Sequence, residues 1–228
     1  MVNISFLIAT YNNEKKIFQT INSASKACIK SKIKYEIIIV DDCSKDSTYI
    51  KLRNYKKNKF LKIYKNKINS GFSKSIFFAA TKAKGKNIKI LHASNIENEN
   101  DIKKYLLKSK SNQIVLTNFI DRRSYFRKVL SRFCSNCFTL VSGKYIKYFN
   151  SSLLCSRKDF LKLYPKNFKG NFFLSVIISK LLILNYTFSE VRVIQKHPKK
   201  GSKAVTLLNL ISFFHSLIIV FFFRLFKQ

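Results

Sequence analysis

Residues Glu36–Thr48 read EIIIVDDCSKDST. Four β-branched residues, Ile37 to Val40, run directly into two adjacent carboxylates, Asp41 and Asp42. A short unbroken β-branched run of this kind is a strand buried on both faces. Acids are scarce in the chain, 11 against 44 Lys and Arg, so the pair is not surface filler. In open α/β sheets ligands bind beyond the carboxyl ends of the strands. Asp41 and Asp42 are therefore expected to line a ligand site, with capping of the following helix as the plain alternative.

The neighbouring segments repeat the same rhythm. Asn3–Ala9 reads as a first buried strand, and Lys15–Ile29 carries Ile17, Ile21, Ala24 and Cys28 at helical spacing. Tyr35–Val40 is the second strand, followed by a helix over Ser47–Tyr55 with Ser44 or Asp46 near its start. Phe60–Tyr64 reads as a third strand. The turn Asn69-Ser70-Gly71 leads into a helix ending near Ala83, and Asn87–Leu91 is a fourth strand. Alternation of this kind predicts an α/β fold with a mostly parallel sheet and helices on both faces. Three segments then converge on one crevice: Thr10–Glu14, Asp41–Ser44 and His92–Asn95.

Composition narrows the class. A chain of 228 residues that is 46% hydrophobic buries a real core, and 5 Gly with 2 Pro argue against a turn-rich β sandwich. The formal net charge is +33, but the lysines are spread along the whole chain rather than gathered in a stripe, which disfavours nucleic acid as the partner. An anionic membrane surface remains, beside the plain reading of solvated lysines. Five irregularly spaced cysteines suit a reducing compartment, and Cys134-x-x-Cys137 lacks a second pair at zinc-site spacing. The opening MVNISFLIATYNN has neither the basic start nor the small-residue cleavage site of an export signal.

Ala204–Phe223 carries no formal charge and has about the length needed to span a bilayer. Thr206, Asn209, Ser212 and His215 recur every three residues along it, a polar stripe that favours a helix lying in the membrane interface. Lys199, Lys200 and Lys203 precede it, and Arg224 and Lys227 follow, as grips for headgroups. A single short span and a buried core helix are the alternatives. The expected organisation is a domain over 1–203, with halves 1–100 and 101–203, and a membrane-associated helix over 204–228.

Four ordered motifs in the first 100 residues carry a resemblance. ISFLIATYNNEKKI, YEIIIVDDCSKDST, KNKINSGFSKS and AKGKNIKILHAS resemble successive elements of family 2 glycosyltransferases of GT-A fold, with Cys43 standing where that family has glycine. In the second half, RRSYFRKVLSRF, SRKDFLKLYP and FSEVRVIQKHPKKGSK are similar to blocks of the polyprenyl-phosphate sugar transferases, the dolichol-phosphate mannose synthase type.

The resemblance implies a nucleotide-sugar donor whose base and ribose are held by Thr10, Tyr11, Glu14, Asp41 and Asp42, with Ser94 also at the donor. Read without it, Tyr11 is an aromatic at the sheet edge and Glu14 an acid in a helix's first turn. The family holds a divalent cation, Mg²⁺ or Mn²⁺, with Asp-x-Asp after the fourth strand. Here His92-Ala93-Ser94 stands in that place. Mn²⁺ accepts an imidazole, but Ser is a poor ligand, so His92 is the one metal candidate. Without metal, cations must meet the diphosphate, and Arg122, Arg123, Arg127 and Arg132 crowd one segment.

By resemblance Arg127 and Ser131 are catalytic, and Lys199, Lys200, Ser202 and Lys203 cradle the phosphate of a polyprenyl-phosphate acceptor. Such an acceptor is already ionised and needs no general base. The second half agrees, offering only Asp121, Asp159 and Glu190 as acids. The expected activity is sugar transfer to polyprenyl phosphate at the cytoplasmic membrane face, by a peripheral or single-pass protein. A transferase acting on a surface-glycan hydroxyl and a catalytically inactive relative are the alternatives.

Overall fold

The computed structural model describes residues 2–55, 59–109, 113–120, 125–165, 168, 170–194 and 206–226. In chain order the elements are β1 (Ile4–Thr10), α1 (Ile17–Lys30), β2 (Tyr35–Asp41), α2 (Thr48–Arg53), β3 (Leu61–Lys65), α3 (Phe72–Lys82), β4 (Asn87–Ile90) and α4 (Glu99–Lys108). There follow β5 (Ile114–Ile120), α5 (Tyr125–Ser142), β6 (Leu153–Ser156), α6 (Arg157–Leu163), α7 (Phe173–Ile183), β7 (Phe188–Ile194) and α8 (Leu207–Leu225). The chain forms two compact units, Met1–Ser111 with Leu154–Lys162, and Asn112–Leu153 with Leu163–Gln228.

In the first unit the strands run in the order β3-β2-β1-β4-β6. The first four are mutually parallel, and β6 lies antiparallel to β4. The expected elements form within one to three residues of their predicted ends, because the β-branched run of β2 is buried at every position. Register sets Thr10 beside Asp41, which aligns the ends of β1 and β2. Gly85 is required by a close approach: a Cβ there would meet Ser5 N at 2.7 Å and the Ile4 carbonyl carbon at 2.8 Å.

In the second unit β5 and β7 pair in parallel from Ile114–Phe188 to Ile120–Ile194. Helices α5, α7 and α8 pack together around a ring cluster in which Phe138 lies 6.3 Å from Phe172 and 5.9 Å from Phe213. All five cysteines are free. Burial, with the neighbouring Cys137, pushes the Cys134 thiol up to about 11, so the Cys-x-x-Cys of α5 acts as small apolar packing.

The polar stripe of the C-terminal helix does not face water as a unit. Ser212 is buried, and Asn209 is half-buried and accepts a hydrogen bond from Asn171 at 2.8 Å. His215 is exposed and stacks on Phe168, 5.6 Å between ring centres. The helix turns Ser212, Phe213, Ser216 and Val220 inward and leaves many of its other large apolar residues exposed.

Candidate functional site

The site grows from the ends of β1 and β2 in the first unit. Asp41 is fully buried and Asp42 nearly so. Asp41 Oδ1 accepts from the Ser44 hydroxyl at 2.5 Å, and Oδ2 from Ser44 N at 3.1 Å. Asp42 reaches the other way. Its Oδ1 accepts from Asn66 Nδ2 at 2.7 Å and Ser70 N at 2.8 Å, and its Oδ2 from Gly71 N at 2.8 Å. Both carboxylates are thus held by short bonds that fix the surrounding loops.

Residue 43 lies between this pair and Ser44 with φ 63°, a conformation glycine adopts without strain and cysteine does not. This accounts for the glycine usual at that position in the resembling family. The loop after β1 is stitched to the loop after β2. Asn12 N donates to Ser44 Oγ at 3.0 Å, Lys45 N to Asn12 Oδ1 at 2.8 Å, and Asn13 N to Thr48 Oγ1 at 2.8 Å. Asn12 reaches this geometry with φ 48°. Asp46, expected near the start of α2, accepts from Thr48 N at 3.0 Å.

Thr10 is 2% exposed, and among the described residues its hydroxyl has no hydrogen-bond partner. An orphaned buried hydroxyl next to Asp41 is costly unless something else satisfies it. Tyr11 stands 44% exposed at the rim. Glu14 forms an ion pair with Lys51 at 3.0 Å, on the outer side of the same loop.

The third segment follows β4. Thr20 Oγ1 donates to the carbonyls of His92 and Ala93 at 3.2 Å and accepts from Asn95 N at 3.0 Å, which fixes the turn. The His92 ring stacks on Phe72, 6.4 Å between centres and 6° between planes. Phe72 opens α3 immediately after Gly71, so it joins the Asp42 turn to the His92 turn. Sequence reasoning missed Phe72, although the Asn69-Ser70-Gly71 turn before it was the available signal. It also missed Asn66 and the supporting role of Ser44.

Beneath this turn lies a buried pair. Lys89 and Glu97 are 0% and 2% exposed, with Lys89 Nζ 3.6 Å from Glu97 Oε1 and 3.7 Å from the centre of the Tyr105 ring. Burial pushes the Lys89 ammonium down to about 8, against the opposing pull of Glu97. Glu97 Oε2 also accepts from His92 N at 3.5 Å.

The donor set here does not match a hard-cation cage. His92 offers one imidazole and Ser94 one hydroxyl, while the Glu97 carboxylate is turned to Lys89 and the His92 backbone. Among the described residues, no three His, Cys, Asp or Glu side chains gather as a metal cluster. Thr10, Tyr11, Glu14, Asp41, Asp42, His92 and Ser94 all belong to this one unit. Ser131 is half-buried on α5 in the other, as is the backbone of Arg127, whose side chain lies outside the described residues. Lys199, Lys200, Ser202 and Lys203 also lie outside them.

The family model described as Glycosyl transferase family 2 matches residues 5–181. Over 71 residues the chain is 37% identical to the poly(ribitol-phosphate) beta-N-acetylglucosaminyltransferase TarS of Staphylococcus aureus, a stretch covering 31% of this chain and 12% of that relative. Residues 1–349 of S. aureus TarS have a similar fold, with TM-score 0.60 and 18% identity over 86% of this chain and 59% of that one. Glucosyl-3-phosphoglycerate synthase from Mycobacterium tuberculosis, in complex with UDP, gives TM-score 0.73 at 14% identity over 95% of this chain and 80% of that one. The mannosyltransferase PcManGT from Pyrobaculum calidifontis, in complex with GDP-Man and Mn²⁺, gives 0.69 at 16% over 95% and 64%. These neighbours share the GT-A fold.

Proposed function

The chain belongs to glycosyl transferase family 2, and on that premise we propose that it moves a sugar from a nucleotide-sugar donor to a polyprenyl phosphate at the cytoplasmic face of a membrane. The observation that carries the donor half is the unpartnered, buried Thr10 hydroxyl beside Asp41, under a rim formed by Tyr11. Base and ribose present N–H and O–H donors, and Asp41, Asp42 and Thr10 supply acceptors for them. By resemblance Arg127 and Ser131 are proposed as the catalytic residues, the arginine fork being of the geometry that suits a diphosphate.

Two features support an acceptor that is already ionised. Among the described residues of the second unit Glu190 is the one acid, and its oxygens accept from Asn118 Nδ2 and Lys147 N, each at 3.3 Å. A sugar hydroxyl would need a general base, for which the described residues of this unit offer Glu190 alone among acids; a phosphate oxygen would not. The apolar outer surface of α8 is the second feature. Lys199, Lys200, Ser202 and Lys203 are proposed as the phosphate cradle.

A second reading, transfer to a glycan hydroxyl, is favoured by the local identity to TarS, whose name specifies a poly(ribitol-phosphate) acceptor. A third, an inactive relative, is favoured by His92-Ala93-Ser94. Calorimetric titration with UDP and GDP, with and without Mn²⁺, tests donor binding. Incubation with labelled nucleotide sugars, with polyprenyl phosphate or polymer, then separates the three. Transfer to lipid phosphate is expected; label appearing only in polymer, or none despite tight nucleotide binding, would select a rival.

A further inference from the structure

The second unit carries two long helices that expose apolar residues at helical spacing. On α8, Leu207, Ile211, Phe214, Ile218, Phe221 and Leu225 recur at steps of 4, 3, 4, 3 and 4 residues, and each is 50% exposed or more. Its inward side is formed by Ser212, Phe213, Ser216 and Val220. On α5, Phe126, Val129, Phe133 and Leu140 follow the same helical spacing and are 47–78% exposed.

The two helices lie side by side and in the same direction. Phe133 meets Phe213 at 6.4 Å between ring centres, and further along both helices Arg224 Nη1 donates to the Leu140 and Val141 carbonyls at 3.1 and 3.0 Å. Two helices that run alongside each other thus each carry an exposed apolar stripe. Clustered exposed apolar side chains of this kind mark an interaction surface.

Charge identifies what covers it. Neither helix contains Asp or Glu, while Lys128, Arg132 and Arg224 stand exposed on them. A second copy of the chain would bring another +33 to the contact; a bilayer with anionic lipids brings the opposite sign. We propose that α5 and α8 together form a platform lying flat on an anionic leaflet, with both apolar stripes immersed about 5–10 Å and α8 not crossing.

Packing opposes a crossing. A spanning α8 would leave α5 and α7, break the Arg224 bonds to α5, and carry His215 into lipid. The contact with Gly170 adds to this, since a Cβ there would overlap the Ser212 side chain. The platform rests on the membrane location proposed above and not on the donor chemistry.

The chain has no tryptophan, so single reporters are clean. Phe133→Trp on α5, and Phe214→Trp and Phe221→Trp on α8, would be placed singly in the full chain. Each is mixed with phosphatidylcholine–phosphatidylglycerol vesicles containing lipids brominated at graded depths. All three are expected to be quenched most by the shallow bromines and to similar extents. Phe126→Asp with Phe133→Asp, added to the Phe214→Trp reporter, should weaken vesicle binding by about tenfold or more, the loss of two immersed rings.

Deep quenching of Phe214→Trp with an unquenched Phe133→Trp would overturn the flat platform while leaving the membrane location standing. No quenching anywhere, with sedimentation showing a dimer that Phe133→Asp dissolves, would overturn both. Calorimetry with UDP on the same samples reports donor binding separately, and the conservative Trp variants keep the test valid if the Asp variants do not fold.

Discussion

Gly71 N donates to Asp42 Oδ2 at 2.8 Å, so the acid that follows β2 also fixes the turn that begins α3. With Ser70 N and Asn66 Nδ2 on Oδ1, this carboxylate ties together residues 24 to 29 positions apart. Asp42 is at once a candidate ligand residue and a clasp between two loops.

Asp42→Asn should therefore lower both stability and donor affinity. An amide keeps one oxygen but turns an NH₂ toward a backbone N–H, leaving a buried donor unpaired at a cost of about 1–3 kcal/mol. Asn66→Ala removes one donor and should cost less. Urea denaturation and calorimetry with UDP and GDP check this together. A fall in stability with nucleotide affinity unchanged would make Asp42 a clasp alone.

A second buried acid should govern behaviour at low pH. Burial of Glu36 disfavours its charge, but hydrogen bonds from Lys62 Nζ, Ser5 Oγ and Lys84 N, with the charge of Lys62, hold the carboxyl below its usual value. Its folded pKa is the lower one, so this stabilisation is fully present above the unfolded value, near 4.3, and is lost as pH falls through the folded value. Glu36→Gln should be less stable at neutral pH and show a shallower acid limb in thermal melts. Gly85 donates to the same carboxylate at 3.2 Å, and Gly85→Ala should cost on the order of 3 kcal/mol through overpacking against Ser5.

The first unit was legible because its signals are local. Ile37–Val40 cannot be much other than a buried strand, and the strand–helix alternation fixes where the ends of β1, β2 and β4 meet. The role of each carboxylate was not legible, because Asp42 is claimed by Asn66, Ser70 and Gly71 from another loop. Nor does spacing reveal that Lys89 on β4 is buried, since its partners Glu97 and Tyr105 come from beyond the strand. Which polar side chains of α8 turn inward is hidden from the sequence for a related reason. Thr206, Asn209, Ser212 and His215 recur at helical spacing as one polar stripe, yet Ser212 is covered while His215 is exposed.

The Lys89–Glu97 pair predicts a stability change on the alkaline side. Lys89 has a folded pKa of about 8, below its ordinary value of 10.5. Between the two, the unfolded chain binds the extra proton, so stability should rise with pH across that window. Below pH 8 the charge is held at a cost. Lys89→Met alone should destabilise strongly by stranding Glu97, whereas Lys89→Met with Glu97→Gln should recover most of the loss. Melting temperatures from pH 7 to 10 check the sign: the parent should gain on the double variant as pH rises.

The most exposed prediction concerns His92-Ala93-Ser94. The turn offers one imidazole and one hydroxyl, and the nearby Glu97 carboxylate is engaged with Lys89 and His92 N. If cations meet the diphosphate, nucleotide affinity should barely respond to EDTA or Mn²⁺. It should fall steeply with salt, because exposed charge contacts are screened over about 10 Å at 0.1 M. Arg127→Ala should then cost more than Arg127→Lys, which keeps the charge and loses the fork. His92→Asp with Ser94→Asp sets two hard oxygen donors at alternate positions beyond β4, and should create a Mn²⁺ dependence that the parent lacks. Calorimetry of UDP and GDP binding in EDTA and in Mn²⁺ reads every arm. A parent whose binding already collapses in EDTA would sink the idea. The donor would then be held through a metal after all, with His92 as its ligand and the Glu97 carboxylate released from Lys89 to complete the shell.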